Sequence, residues 1–309
     1  MARWQVIVPL YGVDLGEGQS VEFAGGLILG AMPDWVSNDP WLQVLSRQDQ
    51  YAIKEATHGF IATYEAERHN SPDPEWKYPG EQSIANVKLG VAKWANLALW
   101  LSHPSPAHLI HALYADVTDD HPQVIESRSC PRIFHHFKDA IQSPSADDIA
   151  LARRLHLSIA ELERKGSVWS AVQSTWAALQ MGADIIRYPL FWIALESLFG
   201  PEQNAGEITY KLSQRIAFFL AEDRSKAREI CKKAKNGYGF RSTIVHGRWK
   251  ENKESQALLA EVETLVRESL IRLLLNDDLL KVFASKKNRD TYLDDLIFRG
   301  PGVANQAAE

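Results

Sequence analysis

The sequence predicts a mainly α-helical protein in which an N-terminal α+β domain precedes a C-terminal helical bundle. Apolar residues recur at three-to-four spacing through most of residues 145–299, which is typical of packed helices. Residues 1–144 instead mix helical segments with short runs of β-branched and aromatic residues. The two predicted domains are separated by a Ser-Pro-Ser linker at 143–145. Two aspartates follow it, which suit a helix N-terminus. We expect a disordered tail at 300–309.

The predicted N-terminal domain contains both strands and helices. A Gly-rich turn at 12–18 follows the first strand, so we expect the first two strands to pair with each other. Pro-rich loops at 71–80 and 103–106 bound a later helix. The predicted elements are strands at 3–10, 21–29 and 109–114, a helical segment within 41–68, and helices at 83–102 and 131–141.

The predicted C-terminal domain is helical throughout. Pro189 lies inside its longest helical pattern and predicts a kink or break there. The most apolar run, 185–199, also contains Arg187 and Glu196, which predicts a core helix and not a membrane span. The predicted helices cover 147–165, 168–199, 207–221, 223–248 and 255–283.

Composition narrows the class of protein. Apolar residues make up 45% and charged residues 24% of the 309, as in ordinary globular proteins. Cys130 and Cys231 are the only cysteines, so neither a disulfide framework nor a thiolate zinc cluster is expected. The first ten residues hold too short an apolar stretch for a signal peptide. We predict a cytoplasmic protein with no membrane segment and no cofactor.

Charge is distributed unevenly along the chain. Residues 1–144 hold 10 basic and 17 acidic side chains, a net charge of −7, whereas residues 145–309 have a net charge of +2. Within 210–253 there are 12 basic and 4 acidic side chains, a net charge of +8. A solvated helix face is the common explanation for such a run, but a polyanion would also be attracted to it.

The N-terminal half is rich in histidine and tryptophan. His108, His111 and Asp116 could be drawn as metal ligands, but their spacing matches no metal motif, so we predict no metal site. The tryptophans could stack on bases or sugars, although the helical spacing of Trp94 and Trp100 favours core packing. A sensing role for this half stays open.

The clearest chemical signal lies in residues 235–248. His246 follows Arg241 by five positions, beside Ile244 and Val245, which should be half buried with Phe240. A histidine moves protons near neutral pH, and an arginine presents donors that match a phosphate. The histidine could transfer protons to or from the 2′-hydroxyl and the leaving oxygen of a phosphodiester. The arginine would stabilise the negative charge that develops on the phosphoryl group.

Spacing alone does not bring the two side chains together. Five helical steps separate them by about 140° around the axis. Two arrangements would solve this problem. Arg241 could lie on an irregular turn near Gly237 and Gly239, or a second copy of the chain could complete the site across a two-fold axis.

Three blocks occur in a recognisable order. They are Ala194-Leu195-Glu196, then Glu207-x-x-Tyr210-x-Leu212-x-x-Arg215, then Arg241-Ser242-x-x-x-His246-Gly247. This set resembles the HEPN superfamily, most closely its Apea-like branch, over about residues 145–299. The resemblance implies a helical bundle, a homodimer formed through it, and a metal-independent endoribonuclease with an R-x4-6-H motif. It also implies a role in phage defence or in a toxin-antitoxin system, with an antitoxin or sensor as a possible partner.

The resemblance assigns roles to individual residues. Arg241 and His246 would be catalytic, with Ser242 as a supporting polar group where active members often carry Asn, Asp or His. Lys235, Arg248, Lys232 and Lys233 would bind the RNA backbone. The alternative is a non-catalytic HEPN-like scaffold for RNA or protein, in which Arg241 and His246 are structural.

Glu196 and Arg215 are further supporting residues. Glu196 lies among apolar neighbours, and a buried carboxylate needs a partner, so we expect it to pair with Arg215 or Arg241. In a functional interpretation it positions Arg241; in a structural one it holds the bundle together. No phosphate-binding loop, nucleophile elbow, dinucleotide fingerprint or H-E-x-x-H motif occurs, so those enzyme classes are not indicated.

Overall fold

The structure, a computed structural model, confirms the predicted fold class: an antiparallel sheet with helices is followed by a helical bundle. It describes residues 2–16, 18–66, 79–104, 107–133, 143–201, 208–247 and 252–300. Three predictions lie wholly or largely outside them: the helix at 131–141, the site residue Arg248 and the tail at 300–309.

The strands and helices have the following bounds. The strands are β1 (Ala2–Tyr11), β2 (Val21–Phe23), β3 (Leu27–Ala31), β4 (His58–Ala66), β5 (His108–Leu109), β6 (His111–Asp116) and β7 (Gln123–Ser129). The helices are α1 (Arg47–Glu55), α2 (Pro79–Ser102), α3 (Ala146–Glu161), α4 (Gly166–Leu179), α5 (Asp184–Phe199), α6 (Ile208–Leu220), α7 (Arg224–Val245), α8 (Lys253–Leu274), α9 (Asp277–Ala284) and α10 (Lys286–Arg299).

The chain forms two compact units, Met1–Glu161 and Leu162–Glu309. The division therefore falls one helix later than the boundary placed after residue 144. The reason is the packing of α3, which lies along α2 and buries Ile149, Leu155 and Ile159. A linker marks where a helix begins, but burial of its apolar face determines the unit to which it belongs.

The sheet has the strand order β2-β3-β4-β1-β6-β7, and β5 also pairs with β1; all the pairs are antiparallel. The predicted pairing of the first two strands is wrong, because β1 pairs with β4 and β6, whereas β2 pairs with β3. Val6, Ile7 and Val8 are buried in succession, so β1 is covered on both faces, as a central strand must be.

The predicted helical segment within 41–68 is also wrong over most of its length. Only α1 is a regular helix there, and β4 occupies the end of the segment. Phe60 is buried on one face of the sheet, whereas Ile61 packs against the α1 side. This alternation is the two-residue period of a strand, which a helical reading of the segment overlooks.

One buried histidine fastens α3 within the first unit. Nδ1 of His156 accepts a hydrogen bond from the Ala24 N–H at 3.3 Å, and Nε2 donates to the Val91 carbonyl at 3.2 Å. Burial lowers the pKa of His156 to about 4, so the ring is neutral near physiological pH. Phe23 packs edge-to-face against Phe60 and at a tilt against His156, with ring centroids 5.5 Å apart in each case.

The second unit is a bundle in which α4 packs on α5, α6 on α7, and α8 against α5. The predicted helix at 168–199 is two helices, and the break comes at 180–183, before α5. Pro189 lies inside α5, so the predicted break at this residue is wrong, and the alternative of a kink stays a prediction. The missing N–H costs one hydrogen bond, and the buried Tyr188 and Phe191 hold the helix in the core. No helix in the described ranges is long and apolar enough to cross a membrane.

Charged side chains are buried between the helices of this bundle. Nη2 of Arg187 on α5 lies 2.5 Å from Oε1 of Glu263 on α8, and both side chains are almost fully buried. Burial raises the pKa of Glu263 to about 7, against the opposing effect of the Arg187 charge. The pair therefore joins two helices at an appreciable desolvation cost.

Candidate active site

Helix α7 carries both residues of the predicted motif. Asp223 caps its N-terminus by accepting a hydrogen bond from the Lys226 N–H at 2.8 Å. The helix ends at Val245, with His246 as the C-cap and Gly247 in the left-handed region at φ 73°. A glycine there ends a helix at little cost, so the His-Gly pair places His246 at the tip of α7.

The motif residues lie on different sides of this helix. α7 continues as a helix through Gly237 and Gly239, so the first arrangement, an irregular turn, is wrong. A regular helix puts Arg241 and His246 about 140° apart around the axis. Within the part of the chain that is described, no hydrogen bond joins them, and the second arrangement, completion by another copy, stays a prediction.

Glu196 holds the Arg241 side chain. Arg241 Nη2 lies 3.3 Å from Glu196 Oε2, and Tyr238 donates a 2.7 Å hydrogen bond to Oε1 of the same carboxylate. The guanidinium carbon also lies 5.4 Å from the centroid of the Tyr238 ring. The Arg241 side chain is 26% exposed, so it is only partly shielded from solvent. Of the two partners predicted for Glu196, the structure selects Arg241.

An aromatic layer supports this cluster from α5. Trp192 packs edge-to-face on Tyr238 with centroids 5.3 Å apart, and Tyr188 donates a 2.7 Å hydrogen bond to the Gly237 carbonyl. A Cβ at Gly237 would lie 2.8 Å from the Trp192 ring, so glycine permits this approach of α7 to α5. Burial, helped by the Glu196 hydrogen bond, raises the pKa of Tyr238 to about 12, so the phenol remains a donor.

His246 and Ser242 lie in a more open environment. Both are exposed, and no described residue hydrogen-bonds to the His246 ring. Its backbone N–H is used by the helix, bonding to the Ser242 carbonyl at 3.1 Å. Ile244 and Val245 were both expected to be half buried. Ile244 is buried in the apolar interior, whereas Val245 is 62% exposed. The imidazole is accessible to a ligand, unlike a satisfied core histidine.

The four predicted RNA-binding residues differ in their surroundings. Lys232 and Lys235 are exposed and have no carboxylate partner within the described ranges. Lys233 is paired with Glu229 at 2.9 Å, and Lys226 binds the same carboxylate at 3.1 Å. Arg248 lies outside the described residues. Lys233 is therefore partly neutralised, and it is the weakest of the three described candidates.

Arg215 does not join the site. Its Nη1 lies 2.9 Å from Asp290 and its Nη2 2.9 Å from Asp294, both on α10. The side chain is nearly fully buried and also donates to the Phe199 carbonyl at 3.3 Å. It joins α6 to α10 and to the end of α5, which is a structural role.

Tyr238 is the site residue that the motif analysis missed. It lies three positions before Arg241, a spacing that places two side chains side by side on a helix. That spacing was available as a signal, but the hydrogen bond to Glu196 depends on the packing of α5 against α7.

The histidines and tryptophans of the first unit have other environments. His111 lies 3.5 Å from Asp49 and within 3.4 Å of the hydroxyls of Ser127 and Ser129. Among the described residues no group of three or more His, Cys, Asp or Glu side chains could hold a metal ion. Trp94 and Trp100 are buried, as the core-packing interpretation predicts.

Comparison with known proteins finds no matching family model, no matching curated protein and no matching solved structure. The resemblance to the HEPN superfamily therefore rests on the three sequence blocks and stays a prediction.

Proposed function

We propose that this protein is a HEPN-type endoribonuclease that cleaves single-stranded RNA without a metal ion and acts as a homodimer through its helical unit. The observation that carries the proposal is the exposed His246 ring at the tip of α7, which no described residue engages. A histidine in that position can exchange protons with a bound substrate.

Arg241 supplies the second chemical function. Glu196 and Tyr238 restrict its side chain, so the guanidinium is oriented before a substrate arrives. Nη2 is directed to Glu196, and the Arg241 side chain, which is 26% exposed, is only partly shielded from a phosphate. Such preorganised charge lowers the barrier because little reorganisation is needed as the phosphorane forms.

The separation of the two residues around α7 supports a site shared between two copies. In that arrangement Arg241 of one copy faces His246 of the other across a two-fold axis. A dimer of this kind holds two equivalent sites. The first unit would sense a signal or a target, and the biological role would be defence against phage or toxin-antitoxin regulation.

The reaction balances with these groups alone. A base removes the proton of the 2′-hydroxyl, and that oxygen forms a bond to phosphorus. The bond from phosphorus to the 5′-oxygen breaks, and this oxygen takes up a proton. The products are a 2′,3′-cyclic phosphate and a 5′-hydroxyl, with His246 moving a proton and Arg241 stabilising the added negative charge.

The direct test is cleavage of a mixed pool of single-stranded RNA in the presence of EDTA, with analysis of the product termini. We expect wild-type protein to leave 2′,3′-cyclic phosphate, and Arg241→Ala and His246→Ala each to lose at least 100-fold in rate. Arg153→Ala and His121→Ala are matched controls, because both residues are exposed and lie in the first unit. Unchanged cleavage by the two α7 variants would refute the assignment.

Mixing the two inactive variants tests the shared site. Random exchange makes about half of the dimers heterodimers, and each of these holds one intact site, so about one quarter of wild-type activity should return. A site confined to one chain would remain inactive after mixing. Size-exclusion chromatography with light scattering should show the dimer under the same conditions.

A non-catalytic scaffold is the second candidate function. The engagement of Arg241 by Glu196 favours it, because a structural ion pair would have the same geometry. In that case, dimeric, folded wild-type protein would bind RNA or a protein partner without cleaving RNA, and Arg241→Ala would lower stability but leave binding unchanged.

A further inference from the structure

Helix α7 carries a row of basic side chains that faces away from the bundle. At about 100° per residue, Arg224, Arg228 and Lys235 project within a sector about 40° wide, and Lys232 widens it to about 80°. All four are exposed, and none pairs with a carboxylate in the ranges that the structure describes. We call these four residues the basic row.

The basic row leads to the candidate site. Ser242 and His246 fall in the same sector of α7 as Arg224 and Arg228, again at about 100° per residue. The distance along the axis from Arg224 to His246 is about 33 Å at about 1.5 Å per residue. One line of positive charge therefore ends at the exposed imidazole.

The opposite side of the same helix is compensated. Lys226 and Lys233 project about 140–160° from the middle of the basic row. Both bind Glu229, at 3.1 Å and 2.9 Å. The uncompensated charge of α7 is thus concentrated on the side that carries His246, whereas an ordinary solvated helix would mix the two signs.

We propose that the basic row binds the phosphate backbone of a single-stranded RNA and guides it along α7 to His246. This inference rests on the proposed function and deepens it, because it names Arg224 and Arg228 as binding residues far from the reacting phosphate. A single row of cations suits one phosphate backbone better than the two backbones of a duplex. At about 3.4 Å per stacked nucleotide, the path from Arg224 to His246 spans roughly ten nucleotides.

The test compares two double variants with equal loss of charge. Arg224→Gln/Arg228→Gln removes the far end of the row. Lys226→Gln/Lys281→Gln removes the same charge from two lysines that are each paired with a carboxylate, Glu229 and Asp278, and that are not among the proposed RNA-binding residues. Fluorescence anisotropy measures binding of labelled single-stranded RNAs of about four and about twelve nucleotides over a range of salt concentrations. Binding is read without requiring cleavage.

We expect the arginine variant to bind the longer RNA at least 10-fold more weakly than wild type. Its binding of the shorter RNA should be weakened less. Loss of two phosphate contacts should reduce the slope of log K against log salt by about 1.4. The lysine variant should stay within about twofold of wild type. Equal weakening by both variants, or equal weakening for both RNA lengths, would overturn the proposal.

Cleavage measured in parallel separates the two proposals. Cleavage by wild type with no binding defect in the arginine variant would refute the basic row and leave the nuclease in place. The expected binding defect in a protein that does not cleave RNA would support the basic row and refute the nuclease.

Discussion

The two units bury polar groups in different ways. In the first unit, His156 is neutral, and both of its ring nitrogens bond to backbone groups. In the second unit, Arg187 and Glu263 form a buried ion pair between two helices. A neutral ring bonded to the backbone carries a small desolvation penalty, whereas a buried charge depends on its partner. The two units should therefore respond differently to substitution and to pH.

The largest expected effect comes from Arg187→Met. Glu263 then loses Arg187 as its cationic partner, and loss of one member of a buried pair costs about 3–5 kcal/mol in the free energy of unfolding at neutral pH. Burial already raises the pKa of Glu263 above its ordinary value, so its folded state binds a proton more readily than the unfolded chain. The variant should be less destabilised at low pH, and stability should fall as pH rises above 4.5 toward 7.

Urea unfolding followed by circular dichroism at several pH values measures this effect. The double variant Arg187→Met/Glu263→Met is the matched control and should recover most of the stability, because no charge remains buried. Wild-type stability in Arg187→Met near neutral pH would show that the pair is not important to the bundle.

Acid should act on the first unit through His156. Its pKa is about 4 in the folded state, against 6.5 ordinarily, so the unfolded chain binds more protons between these values. Stability from this group is complete above pH 6.5 and falls by up to about 3 kcal/mol as pH decreases toward 4. A His156→Leu variant should be less stable at neutral pH but should lack this acid-dependent loss.

The difference between the pH profiles of wild type and His156→Leu isolates the contribution of this ring. His121→Ala is the control, since His121 is exposed and its removal should leave the profile unchanged. Parallel profiles for wild type and His156→Leu would contradict the assignment of acid sensitivity to the buried ring.

The smallest expected effects concern the packing of α7 in the second unit. A Cβ at Gly237 would lie 2.8 Å from Trp192 and 3.1 Å from the Tyr188 hydroxyl, so Gly237→Ala should cost about 1–3 kcal/mol in the free energy of unfolding. Gly239 has open space, and Gly239→Ala should instead stabilise the helix by up to about 1 kcal/mol.

Thermal unfolding of this glycine pair shows whether the bundle is as closely packed beside the candidate site as around Arg187. The two variants make the same chemical change two residues apart on one helix. Equal effects of the same sign would mean that the approach of α7 to Trp192 is not a constraint. Gly237→Ala should also slow RNA cleavage, because Tyr238 and Arg241 follow Gly237 within about one helical turn and would be displaced with it.

Much of the helical unit followed from local patterns. The apolar periodicity predicted α6 and α7 within a few residues. Sequence patterns gave the wrong element where the same apolar residues are compatible with either a helix or a strand. The segment of β4 contains apolar residues that fit a helical period, and its place beside β1 required a partner strand distant in sequence.

The candidate site shows the same division. The motif and the charge of +8 within 210–253 directed attention to α7 from the sequence alone. The pairing of Glu196 was left between two arginines, because both lie at unknown distances until the helices pack. In the structure, Glu196 pairs with Arg241, whereas Arg215 pairs with Asp290 on α10.

By itself, the sequence determined the fold class, the helical nature of the C-terminal half and the position of the basic histidine-containing segment, because these depend on spacing and composition within short stretches. Only the tertiary structure decided the strand order, the unit to which α3 belongs, the partner of each buried arginine and the side of α7 that faces solvent. Each of these depends on which apolar surfaces bury one another, and that choice is made between segments far apart in the chain.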